Sequence, residues 1–270
     1  MTSSDSRLVE CSLTNDGRQA LSVIRGLTYI EQSQVFNRWF LPTYQASFRW
    51  TGNRSDAEDA TNWVFMKAIG HVRLPELVSV VDDIAANATL EAASRHWRDR
   101  YGVVRLRCAE IYAFEAGLAG RSALTLEALV EGLSADMRLV IVLRFLRRRS
   151  LSAIATQLGL PTRTANVLLH TALSRVAEGM GLNSAVDRDR SQASQVAAFV
   201  DDLVGRRRPA RFEVTPSAWA ALLAASHLQA AVAGNDLPAG RFVRSLEESF
   251  EAHRMTRSGR HVTNLRIWSA

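Results

Sequence analysis

The chain has 270 residues, of which 47% are hydrophobic and 22% are charged, an ordinary composition for a folded soluble protein. Its net charge of +6 at pH 7 is compatible with a nucleic-acid partner but does not establish one. No apolar run approaches the roughly 18 residues of a membrane span, and the first residues lack the apolar core of a signal peptide. We therefore expect a cytoplasmic protein with no membrane partner.

Apolar residues recur at helical spacing along most of the chain, and proline and glycine are scarce, which together predict an all-α fold. We expect two small helical domains joined by a linker, followed by a helical C-terminal extension. The predicted order is an N-terminal extension (1–30), a helical domain (31–102), a linker (103–125), a second helical domain (126–182), a linker (183–194), a helical extension (195–254) and a basic tail (255–270).

The first helical domain contains two predicted breaks. Gly52-Asn53 ends one helix, and Ser55 is a candidate cap for the next helix, whose first turn carries Asp56, Glu58 and Asp59. Leu74-Pro75 marks the second break. An acidic first turn is favourable at the positive end of a helix dipole, so helix capping alone is one explanation of these acids.

The second helical domain carries the spacing of a helix-turn-helix. Ser150–Leu158 forms the first helix, Gly159 supplies the left-handed residue of a tight turn, and Thr162 is a candidate cap for the second helix. The second helix of such a motif lies in the DNA major groove, with its first residues facing base edges. A hairpin packed for structure only is the alternative, and the Ala155-x-x-x-Gly159 spacing favours the DNA-binding motif.

The second helix predicts a set of DNA contacts. Arg163 is suited to a bidentate contact with guanine and Asn166 to one with adenine. Thr171 and Arg175 follow a turn or more later, where phosphate is within reach. The full predicted set is Arg163, Thr164, Asn166, Val167, Thr171 and Arg175.

The C-terminal extension contains three predicted helices, over Gln195–Val204, Pro216–Ala233 and Pro238–His253. Our hypothesis is that this extension packs on the two domains and modulates them in cis, the alternative being that it docks a separate regulator. We find no Gly-rich phosphate loop, HExxH or GxSxG motif, and therefore expect no enzyme activity and no cofactor. The cysteines and histidines lack ligand spacing, so we expect no metal site.

Two motifs together resemble the bacterial RNA polymerase sigma factors of the extracytoplasmic-function group. Leu133–Met180 resembles region four of that family, with similarity at Leu133–Arg138 and Leu151–Ala155. Upstream, Asp56–Asp59 followed by Val64–Lys67 resembles region two. The resemblance implies that region four reads the minus-thirty-five element and contacts the β flap, while region two grips the β′ clamp helices and melts the minus-ten element.

The resemblance also implies two further sets of site residues. Phe65 has a position in the core as its alternative, and Trp97 has a half-buried core position as its alternative. The implied polymerase-binding residues are Asp56, Glu58, Asp59, Asn62 and Phe65. The implied minus-ten residues are Asn87, Arg95, His96, Trp97 and Arg98.

The chain departs from the family pattern in two places. The second helix of the motif lacks the family's run of arginines, although Arg147–Arg149 precede the motif and are placed to compensate. The alternative for these arginines is a solvated helix end that complements the negative end of the helix dipole. The aromatic residues that precede the minus-ten segment in the family are also missing. The expected function is promoter-specific initiation with core RNA polymerase and promoter DNA as partners and an anti-sigma factor as a further one. The alternative is a sigma-like helix-turn-helix regulator that binds DNA or polymerase without opening promoters.

Overall fold

The computed structural model describes residues 29–67, 78–102, 126–182, 191–233, 237–250 and 252. These residues form helices and no strand, which confirms the all-α prediction. Within them, no helix combines the length and apolar character that a membrane span requires. The α-helices are α1 (Tyr29–Thr51), α2 (Arg54–Lys67), α3 (Val78–Tyr101), α4 (Leu126–Glu131), α5 (Ala135–Ile141), α6 (Leu151–Leu158), α7 (Thr162–Gly179), α8 (Ala193–Val204), α9 (Pro216–Ala233) and α10 (240–250), and a short π-helix, Val142–Leu146, follows α5.

Helices α1, α2 and α3 pack on one another in the first half of the chain. Gly52, with φ +69°, separates helix α1 from helix α2, as predicted. The cap of α2 differs from the prediction. Oδ1 of Asn53 accepts the N–H of Asp56 at 2.9 Å, so Asn53 caps the helix and Ser55 lies inside it. The predicted break at Leu74-Pro75 lies outside the described residues.

An aromatic cluster joins the first three helices to α10. The rings of Phe36 and Phe40 stack along one face of α1, with centroids 5.1 Å apart. Phe65 of α2 meets Phe36 and Phe250 edge-on, at 5.3 and 5.7 Å. Phe250 and Leu246 bring the apolar face of α10 onto this cluster. The last predicted helix therefore packs on the first helical domain, and His253, its predicted end, lies outside the described residues.

The helix-turn-helix forms at the predicted place. Oγ of Ser150 caps α6 by accepting the N–H of Ala153 at 3.2 Å. Gly159 ends α6 in the left-handed conformation, with φ 64° and ψ 27°. The predicted cap of α7 is wrong, because Thr162 is already helical and Pro161 is the residue before it. The Pro161 carbonyl accepts the N–H groups of Thr164 and Ala165.

Helix α9 is buried over the whole of residues 220–230. It packs on α7 from the second domain and on α1 from the first. It contributes Leu222 and Leu223 to one apolar cluster that also contains Trp50 of α1, Trp97 of α3 and Leu173 of α7. Helix α9 thus contributes to an apolar cluster shared with both halves of the chain, and modulation of the two domains in cis stays a hypothesis.

Helix α8 begins at Ala193, two residues before the predicted start, and α9 has the predicted bounds. The linker 103–125 and the basic tail 255–270 lie outside the described residues. Because one apolar cluster spans both halves, the division into separate domains stays a prediction.

Gly52 allows the α1–α2 turn to approach α9 closely. A Cβ on Gly52 would lie 2.9 Å from the backbone Cα of Ser226, whereas a Cβ on Gly159, at a similar φ of +64°, would meet nothing within 4 Å. We expect Gly159→Ala to lower the free energy of unfolding by about 1–2 kcal/mol through left-handed strain alone. Gly52→Ala should lose about 1–3 kcal/mol more through overpacking. Equal losses in urea denaturation would contradict the close contact.

Candidate nucleic-acid interface

The first two turns of α7 separate an outward face from an inward one. Thr162, Arg163 and Thr164 are exposed. The opposite face of α7 packs into the apolar core through Ala165 and Leu169, each of which is fully shielded from solvent. This 3.6-residue periodicity fixes the rotation of α7 and leaves its N-terminal residues free to face a nucleic acid.

Two of the later predicted DNA contacts on α7, Thr171 and Arg175, have side-chain partners within the helix. Asn166, Val167 and Thr171 are half-buried. The hydroxyl of Thr171 donates to the Val167 carbonyl at 2.8 Å. Arg175 is exposed and pairs with Glu178 at 2.9 Å. A phosphate would therefore compete with Glu178 for the Arg175 guanidinium.

A basic turn leads into α6. Arg147, Arg148 and Arg149 are all exposed. Arg144 stabilises this turn, because its Nη1 donates to the Arg149 carbonyl at 2.7 Å. Nη2 of Arg144 lies 2.5 Å from Oδ1 of Asp201 on α8. Sequence reasoning missed Arg144, because nothing in the local pattern distinguishes a buried arginine from its solvated neighbours.

Three carboxylates of α2, Asp56, Glu58 and Asp59, form a group that we call the acidic face. Asp56 is buried, and its Oδ2 accepts an N–H of Asn53 at 2.6 Å. Its Oδ1 lies 3.6 Å from Arg100 and 2.6 Å from Arg208. A buried carboxylate needs such partners, because an uncompensated charge in the interior is strongly unfavourable.

The acidic face is occupied by residues of the C-terminal extension. Nη2 of Arg208 lies 2.6 Å from Oδ2 of Asp59 as well as from Asp56. Oε1 of Glu58 accepts the backbone N–H of Ala239 at 2.9 Å. Sequence reasoning missed Arg208, which lies in a basic run between α8 and α9 that is indistinguishable from a solvated loop.

The two other residues of the predicted polymerase-binding set lie apart from the acidic face. Asn62 is exposed, whereas Phe65 is fully buried in the aromatic cluster. Phe65 therefore holds α2 against α1 and offers no surface to a partner in this structure. Its core position was the alternative that the sequence left open.

The predicted minus-ten residues lie along α3. Arg95 and Arg98 are exposed and both contact Asp99, at 3.1 and 3.8 Å. Asn87 and His96 are half-buried. By the 3.6-residue helical period, Asn87 and Arg98 lie on one side of α3 and His96 lies on the other.

Trp97 is fully buried against Tyr101 and Phe199, with ring centroids 5.0 and 6.3 Å away. In this structure its ring therefore has no face on which a base could stack, and the position is the core alternative. Its neighbour His96 lies near Asp56, Arg100, Arg208 and Asp99. Burial has the largest effect on the pKa of His96 and lowers it. The nearby Asp56 raises this pKa and Arg100 lowers it, and the resulting pKa is about 4.

The described residues contain no cluster of His, Cys, Asp and Glu that would hold a metal ion. The capped α6, the left-handed Gly159 and the exposed start of α7 define a helix-turn-helix DNA-binding domain. Residues 129–178 match the family model of sigma-70, region 4. This match supports placing the chain among the sigma factors. A region-four domain implies a DNA-binding, polymerase-associated function and is a non-enzymatic transcription-factor domain. No curated protein and no solved structure matches the chain.

The depressed pKa of His96 predicts a pH-dependent stability. The unfolded chain takes up a proton near pH 6.5, while the folded chain does so only near pH 4. Between these values protonation favours the unfolded state, so the free energy of unfolding falls as the pH is lowered through this window. His96→Gln should reduce this slope by up to about 1.4 kcal/mol per pH unit. Urea denaturation of both proteins at several pH values measures it, and identical slopes would contradict the assignment.

Proposed function

We propose that this chain is a sigma factor of the extracytoplasmic-function type, which binds core RNA polymerase and directs initiation at specific promoters. The observation that carries the proposal is the helix-turn-helix with an exposed α7 N-terminus, inside a segment that matches sigma-70 region 4. The protein acts by binding alone, with no cofactor, and works in the cytoplasm.

The recognition step in this proposal belongs to α7. Its N-terminus enters the major groove at the minus-thirty-five element, where the exposed Arg163 donates to guanine and Thr164 lies beside it. Asn166 and Val167 are half-buried and reach the groove from the edge of the same face. Thr171, Arg175 and the basic turn at Arg147–Arg149 meet phosphates on either side.

The upstream half supplies the second set of contacts. The acidic face and Asn62 of α2 bind basic residues of the β′ clamp helices. Asn87, Arg95 and Arg98 of α3 meet the minus-ten element, and the second domain rests on the β flap. An anti-sigma factor or another regulator is a further partner within this proposal.

A second candidate function is a sigma-like regulator that binds DNA or polymerase without opening promoters. Two observations favour it. Trp97 is buried and cannot stack on a melted base, and the acidic face is occupied by Arg208. In this function the helix-turn-helix makes the binding contacts, and the first domain only supports its structure.

Run-off transcription separates the two functions. Purified core RNA polymerase is mixed with a pool of genomic promoter fragments, with and without the full-length protein. The sigma proposal expects discrete transcripts that depend on the added protein. Retained DNA binding with no transcript would contradict it and favour the regulator.

We expect Arg163→Ala and Arg175→Ala to change the binding to a preferred DNA site in different ways. Arg163→Ala should lower affinity by about 1–3 kcal/mol and relax the preference at one base position, because a bidentate base contact is lost. Arg175→Ala, the matched control, should weaken binding to all sequences alike and reduce the salt slope by about one unit. Fluorescence anisotropy with a panel of single-base variants measures both. A uniform loss for Arg163→Ala would show that Arg163 contacts phosphate only.

A further inference from the structure

We infer that Arg208 is a built-in competitor for the polymerase-binding surface, so that core polymerase must displace it to reach the acidic face of α2. The inference rests on the proposed function and names the regulation of that same site. It follows from the chemistry of the acidic face, from the position of the loop that carries Arg208, and from the surface that this loop leaves open.

The competing loop runs from Gly205 to Arg211, between α8 and α9, and we call it the arginine loop. It is anchored on both sides of Arg208. Arg207 pairs with Asp202 of α8 at 2.9 Å, and Arg100 of α3 donates to the Pro209 carbonyl. These anchors hold the Arg208 guanidinium against two carboxylates of α2.

A basic partner and Arg208 need the same oxygen atoms. One nitrogen of Arg208 lies 2.6 Å from a carboxylate oxygen of Asp56 and 2.6 Å from one of Asp59. Glu58 is engaged as well, through the Ala239 N–H. Charge-assisted contacts to carboxylates require direct approach, so the loop and a partner's basic residue exclude each other at this surface.

Displacing Arg208 does not require the core to open. The Arg208 side chain is 44% exposed, and that of Asp59 is 68% exposed. The buried Asp56 keeps two other partners, Arg100 and Asn53, when Arg208 leaves. The Arg208–Asp59 pair is exposed and contributes little stability. Because Asp56 stays paired with Arg100 and Asn53, the arginine loop can be exchanged for a partner while α9 stays buried.

The surface that Arg208 covers, the acidic face, lies in the first half of the chain. The exposed α7 residues Thr162, Arg163 and Thr164 make no contact with the arginine loop among the described hydrogen bonds and ion pairs. The same state therefore blocks the acidic face and leaves the helix-turn-helix open to DNA. Removing Arg208 should change polymerase affinity and leave DNA affinity unaltered.

The test compares full-length Arg208→Ala with the wild type. Deleting the C-terminal extension is unsuitable, because it would uncover the apolar faces of α1 and α7 that α9 covers. Binding to purified core RNA polymerase and to a helix-turn-helix DNA site is measured separately. Arg208→Ala should bind core polymerase about threefold to tenfold more tightly, with an unchanged dissociation constant for DNA.

Arg211→Ala is the matched control, since Arg211 lies in the same loop, is equally charged and exposed, and takes part in none of the described ion pairs or side-chain hydrogen bonds. It should bind core polymerase like the wild type. Equal gains for both variants, or no gain for Arg208→Ala, would overturn the inference while the proposed function stands. If no form binds core polymerase, the proposed function fails and the inference with it.

Arg208→Lys covers the case in which Arg208→Ala does not fold. Lysine keeps the charge but lacks the planar fork that spans two carboxylates. It should give a smaller gain in polymerase affinity than alanine, with a thermal midpoint near that of the wild type. Wild-type affinity in a folded Arg208→Lys protein would then count against the competitor role.

Discussion

The burial of α9 is the constraint on which the rest of the structure depends. This helix is buried on every side over residues 220–230, where most residues are alanine and leucine and the polar Ser226, His227 and Gln229 are buried as well. It is buried because α1, α7 and α8 pack against different sides of it. Small residues, mostly alanine, let these helices approach closely, and Gly52 allows the α1–α2 turn to approach the backbone of Ser226.

That shared core ties the two candidate interfaces together. The helix-turn-helix and the acidic face lie on different helices, but both rest on elements that contact α9. The polar contacts that cross between the halves follow from this packing, since the short segment between α8 and α9 must pass α2 and α3. Arg208 meets Asp56 there, and Val214 donates its N–H to the Tyr101 carbonyl. The C-terminal extension is therefore an integral part of the fold, and its loops lie where they can regulate binding.

Local features of the fold were predictable from sequence, and features that depend on distant residues were not. The left-handed Gly159 was predicted from rules that act within a few residues, and the bounds of α9 were predicted correctly. Helix α6 begins one residue after the predicted start, because Ser150 is its cap. The caps of α2 and α7 were misplaced. Asn53, two residues before Ser55, caps α2 with its side chain, whereas α7 begins directly after Pro161 without a side-chain cap.

The candidate site was only partly predictable for the same reason. Exposure of Arg163 and Thr164 follows from the periodicity of α7, which the sequence displays. The burial of Phe65 and Trp97 depends on Phe250 and Phe199, which lie more than a hundred residues away along the chain. The ion pairs of Asp56 likewise depend on Arg208, whose sequence context is an ordinary basic loop. Pairings of this kind are decided by tertiary structure, and a single sequence does not display them.

Native-state hydrogen exchange of the full-length protein tests the central claim most directly. If α9 is the common core, its backbone amides should exchange only through global unfolding, with the same opening free energy as the most protected amides of α1 and α7. Peptides covering 220–230 would then show the slowest exchange in the chain, together with those two helices. Exchange of α9 at a much lower free energy than α7 would contradict the account, because the C-terminal extension would then be a separable attachment.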